Sequence, residues 1–82
     1  MRGIFEMREK ILGILLEINP DIKYEEETRL IDDELLDSFS IIELITNLMD
    51  EFEIELDADD IEPENLNSLD AICELVKSRQ GK

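Results

Sequence analysis

Three stretches of this sequence place apolar side chains at intervals of three and four, the spacing that gathers them on one face of a helix. The first carries Ile4, Met7, Ile11, Leu15 and Ile18, with Phe5, Leu12 and Ile14 widening the stripe, and Asn19-Pro20 ends it. The second runs from about Ser38 to Phe52 with Ile41, Leu44, Ile45, Leu48 and Phe52 on one side. The third carries Leu69, Ile72, Cys73 and Val76 behind a cap at Asn67 or Ser68, and ends in the basic, polar tail Lys77 to Lys82. Between the second and third, Glu53 to Leu56 reads as a short extended exit. Asp57 to Glu62 reads as a capped helical turn around Ile61, with a break starting at Pro63. The pattern is that of an all-α chain with three main helices plus one short one.

The 82 residues form a single domain, 1–82, of the size at which one core supplies little net stability and each large apolar side chain counts. Hydrophobic residues at 43%, with two Pro and three Gly, argue for a folded chain despite the charge. From Asp21 to Asp37 the sequence is polar and acidic, with Ile22, Tyr24, Leu30, Ile31, Leu35 and Leu36 irregularly placed, as in a long loop pinned by apolar anchors.

The net charge of -15, from 23 acidic and 8 basic residues, repels nucleic acid and anionic membranes and attracts basic protein patches. Histidine is absent, which removes Ser-His-Asp and Cys-His pairs, the commonest general base and most zinc sites. Few ordinary enzymes remain possible, and the chain is expected to have no enzyme activity and no metal site. The acidic run Asp57 to Glu62 puts Ile61 where a calcium loop needs a ligand, and lacks the central Gly. Cys73 stands alone, so there is no internal disulfide; its spacing suggests a buried helix position, and a reducing cytoplasm is the simplest compartment. Ile11 to Ile18 is too short and too closely flanked by charge to be a signal peptide or a membrane span.

One segment concentrates chemistry. Leu35-Leu36-Asp37-Ser38-Phe39 sets a hydroxyl at the start of the second helix, where unpaired backbone N–H groups and the helix dipole accommodate a phosphate. Asp37 or Ser38 can equally be an ordinary N-cap, and Ser40 with Glu43 fits a capping box. Beyond the core stripe the same helix holds a second apolar set, Phe39, Ile42 and Met49, with Thr46 among them and Glu43 and Asp50 at the border. A helix of a small domain needs one apolar stripe, so a second one is either a docking face or a sign of burial on two sides.

Leu36-Asp37-Ser38-Phe39, followed by Ile42-Glu43-Leu44 and Glu51-Phe52-Glu53-Ile54-Glu55, resembles the Asp-Ser-Leu motif and following helix of acyl carrier proteins. Leu66 to Val76 is similar to that family's last helix, and the resemblance extends over essentially the whole chain. It implies an acyl-carrier-protein-like four-helix bundle, a monomer whose Ser38 receives 4'-phosphopantetheine from coenzyme A. The arm's thiol would then hold acyl or aminoacyl cargo as a thioester. By the same resemblance Asp37 is the motif aspartate, and Phe39, Ile42, Glu43, Thr46, Met49 and Asp50 face partners. Those partners are a phosphopantetheinyl transferase and loading and transferring enzymes with basic docking patches. Leu36, Phe39, Ser40 and Met49 depart from the fatty-acid carriers and bring the chain closer to stand-alone carriers such as the D-alanyl carrier protein. The competing reading is a small acidic helical module that binds a basic partner without a prosthetic group.

Overall fold

A computed structural model describes the backbone of residues 2–80 and the side chains of residues 6–80. Helix α1 spans Arg2–Ile18, α2 Ser38–Phe52, α3 Pro63–Leu66 and α4 Leu69–Gln80, with a 3-10 turn at Ala58–Asp60. Among the described residues there is no strand, and no helix is long and apolar enough to cross a membrane. The protein is an all-α bundle in which α1 packs on α2 and α4, α2 also on α4, and the short α3 on α4.

The stripes read from the sequence point inward. Ile11 and Leu15 of α1 are fully buried, with Met7, Leu12, Ile14 and Ile18 packed at the edge; Ile4 and Phe5 lie outside the described side chains. Leu44, Ile45 and Leu48 of α2 are buried, and Ile41 and Phe52 are half-buried beside them. In α4 the buried positions are Leu69, Ile72, Leu75 and Val76. Cys73 is only half-buried, a correction to its expected place in the core; Leu75 takes the inner position instead. Partial burial still pushes the Cys73 thiol above its ordinary value.

Each boundary has a local cause. Asn19 turns the chain after α1 by accepting the Asp21 N–H on its side-chain oxygen at 3.0 Å. Helix α2 stops at Glu53, a left-handed residue (φ 53°) in a place more often held by glycine, whose N–H reaches the Met49 carbonyl. Ser68 caps α4, its hydroxyl accepting the Ala71 N–H at 3.0 Å. Two details differ from the sequence pattern. The turn after Asp57 is a 3-10 turn that ends before Ile61, which is more than a third exposed. Pro63 starts α3 rather than breaking the chain, because its missing N–H is harmless in the first helical position.

The loop between α1 and α2 is part of the core. Tyr24, Leu30 and Leu36 are buried together with the helix stripes. The Tyr24 hydroxyl sits 2.8 Å from the Leu15 carbonyl, which also accepts the Asn19 N–H, and 2.9 Å from the Asn19 carbonyl just beyond α1, so it ties the loop to the end of that helix. Burial pushes its pKa up to about 12. Ion pairs join the helices at the surface: Arg8 with Asp70, and Lys10 with Glu51 at 3.2 Å. Arg79 of α4 pairs with Asp60, the one buried acid among the described residues, which also accepts the Asp57 N–H at 2.9 Å. The hydrogen bond from Arg79, then that from Asp57, holds the Asp60 carboxyl below its ordinary value.

The burial pattern sets the order of mutational costs. Leu48→Ala empties a fully buried site and should cost roughly 2 to 5 kcal/mol, whereas Ile42→Ala on the exposed side of the same helix should cost under about 1. Urea unfolding of the two variants checks this, and equal costs would contradict the assigned inner face of α2.

Candidate functional site

Helix α2 begins at Ser38 because Asp37 is extended (ψ -179°) and offers its carboxylate to the helix start. Asp37 Oδ1 accepts the Ser40 N–H at 2.8 Å, and the Asp37 carbonyl accepts the Ile41 N–H at 2.9 Å. Asp37 is thus the N-cap, and Ser40 lies inside the helix as the recipient of the cap rather than the start of a capping box. Ser38 occupies the first helical position and is exposed. Its N–H and that of Phe39 precede the first intrahelical bond, so they point out of the helix end. The donation from Ser40 holds the Asp37 carboxyl below its ordinary value, and the carboxylate in turn complements the positive end of the helix.

An open cleft of about 360 Å³ lies against Ser38, lined by Ile31, Glu34, Leu36, Asp37, Ser38 and Ile41. One wall is the start of α2 and the other is the end of the loop. Glu34 stands in that wall with a left-handed backbone (φ 58°).

The second apolar set of α2 divides in two. Phe39 is 85% exposed and Ile42 63% exposed, side by side one turn apart and next to Ser38. Glu43, Thr46 and Asp50 are exposed on the same side. Met49 is not part of the exposed centre: four residues beyond the buried Ile45, it stands at the core-side edge and packs half-buried against the core. The face presented around Ser38 is therefore an apolar pair with an acidic and hydroxyl rim. No Lys or Arg occurs between residues 30 and 76, so no basic side chain of α2 or its flanking segments offsets this rim.

The sequence reading brought together Asp37, Ser38, Phe39 and Ile42, and missed the loop side of the cleft, Ile31 and Glu34 in particular. Ile31 reads in the sequence only as an apolar anchor of the loop, and no one-dimensional pattern places it or Glu34 beside Ser38, because they reach it through the path of an irregular loop. Comparison with known proteins yields no match: no family model, no curated protein and no solved structure corresponds to this chain.

The cap predicts a titration. Because the folded Asp37 pKa is depressed, its stabilising contribution is complete above the ordinary value of 3.8 and is lost as the pH falls through the lower folded value. The Ser40 amide resonance, followed by NMR, should titrate with a midpoint below 3.8. A midpoint at or above that value would mean that the cap bond is not formed in solution.

Proposed function

We propose that this chain is a carrier protein of the acyl carrier type, in which Ser38 holds a 4'-phosphopantetheine arm obtained from coenzyme A. The observation that carries the reading is an exposed serine hydroxyl at the first position of α2, with the exposed pair Phe39 and Ile42 immediately beyond it. The residue types fit the group. A phosphodiester on Ser38 would meet the outward N–H groups of the first turn, and the cleft beside it offers both apolar and polar wall to a flexible arm.

In the loading step the Ser38 oxygen forms a bond to the phosphorus that bears pantetheine, and the bond from that phosphorus to the 3',5'-ADP portion breaks. The Ser38 proton leaves to a base of the transferase. Once attached, the arm supplies a thiol that holds acyl or aminoacyl cargo as a thioester. The chain's own contribution is to keep Ser38 accessible on a rigid helix and to present a docking face. Phe39 and Ile42 form its centre and Glu43, Thr46 and Asp50 its rim; Met49 adds only an edge. Charge complementarity directs that face to transferases and loading enzymes with basic patches, and works mainly on the rate of encounter. Cargo in the style of the D-alanyl carrier protein remains part of the proposal through the departures at Leu36, Phe39, Ser40 and Met49.

The same exposed pair also suits a small acidic binding module with no prosthetic group, and the covalent step separates the two. Incubation with coenzyme A and a phosphopantetheinyl transferase should raise the intact mass by one phosphopantetheine unit, mapping to Ser38, and Ser38→Ala should show no gain. A gain on Ser40 or Ser68, or none on the wild-type chain with several transferases, contradicts the carrier reading.

A further inference from the structure

The loop end that forms the far wall of the cleft buries Leu30 and Leu36 in the core, and among the described residues its backbone is hydrogen-bonded to the rest of the fold through one residue. The Asn67 carbonyl accepts the Leu30 N–H at 2.8 Å. Its side-chain oxygen accepts the N–H groups of Ile31 at 2.9 Å and Asp32 at 3.1 Å, and its side-chain nitrogen donates to the Asp32 carboxylate at 3.1 Å. These bonds join groups at least 35 positions apart. The side chain has no capping role in α4, which Ser68 fulfils.

Among the described residues, the remaining backbone bonds of this loop end are local. Asp33 N–H donates to the Arg29 carbonyl, Glu34 N–H to Ile31, and both Leu35 and Leu36 N–H to Leu30. They tie residues 29 to 36 into a knot that moves as one piece, and Asn67 supplies the hydrogen bonds that attach the knot to the α3–α4 junction. The knot carries Ile31, Glu34 and Leu36, the loop wall of the cleft at Ser38. It also contains the left-handed Glu34, a conformation that non-glycine residues keep only when their surroundings enforce it.

Charge adds a second consequence. Asp32, Asp33 and Glu34 are consecutive, and coenzyme A is an anion. Asn67 engages Asp32, and Arg29 engages Asp33 at 3.3 Å. A loop released from Asn67 would free the Asp32 carboxylate close to a wall that already carries Glu34.

We propose that Asn67 is a positioning residue for the reaction at Ser38: it holds the Leu30–Asp32 backbone against the α3–α4 junction and thereby sets the loop wall past which the arm is delivered. The inference rests on Ser38 being the attachment site. It predicts a kcat effect, since the docking pair Phe39 and Ile42 on α2 is untouched.

Steady-state transfer from coenzyme A by a phosphopantetheinyl transferase tests it, with each variant shown to be folded by circular dichroism at the assay temperature. Asn67→Ala and Asn67→Asp should each lower kcat about fivefold or more, the factor that one ordinary hydrogen bond represents, with KM for the carrier little changed. The Asn67→Asp loss should be larger at low ionic strength. Combining Asn67→Asp with Asp32→Asn exchanges donor and acceptor while keeping the acceptor for both backbone N–H groups, and should recover most of the rate. A folded Asn67→Ala that transfers at the wild-type rate, or a double variant no faster than Asn67→Asp, overturns the proposal; if Asn67→Ala does not fold, the double variant decides. If the wild-type chain gains no mass at Ser38, it is the carrier reading that fails. The clamp is then judged by the amide shifts of Ser38 and Ile41, which must move in the Asn67 variants if the loop wall is displaced, and whose constancy overturns it.

Discussion

Tyr24, Leu30 and Leu36 are buried from a connection that has no regular secondary structure, and the bundle closes around them. With only a small core available, the packing of α1, α2 and α4 depends on these loop side chains as much as on the helix stripes. Their burial has a directional consequence. Leu36 is anchored two residues before Ser38, so the chain enters α2 from a fixed point, and the cap at Asp37 converts that entry into a helix start with an exposed hydroxyl. The site is a product of how the loop is tied down at both ends.

Electrostatics sharpen the same picture. The cations that have ion-pair partners lie mostly away from α2's exposed side: Arg8 meets Asp70, Arg79 meets Asp60 and Arg29 meets Asp33, while Lys10 reaches Glu51 from α1. Acidic groups thus dominate the surface around Ser38, at a net charge of -15. The repulsion this creates opposes compaction and is weakened by salt. The same field favours approach by basic surfaces, so the charge pattern that opposes compaction also fits the proposed docking face.

Much of the fold was legible because its determinants are local. The limits of α2 followed from an Asp-Ser start and an apolar stripe ending at Phe52, and the end of α1 from Asn19-Pro20. Pro63 was misleading because proline both ends helices and begins them, and only the position of its neighbours decides which. Cys73 and Leu75 are two positions apart on α4, and spacing alone did not tell which faces inward. Met49 was placed with Phe39 and Ile42 because it continues their spacing, yet its neighbour one turn back is the buried Ile45. Asn67 looked like a helix cap by residue type; its true partners, Ile31 and Asp32, are too far away in sequence for any local rule to connect.

The central claim is that the start of α2, with Ser38 beside Phe39 and Ile42, is the surface through which this protein works. NMR titration of the labelled chain with a phosphopantetheinyl transferase maps that surface directly. The account predicts that the largest changes in amide shift fall on Ser38, Phe39, Ile42, Glu43 and Thr46, with the exposed side of α4 undisturbed. Changes centred on α1 or α4, or no change at saturating transferase, would contradict it.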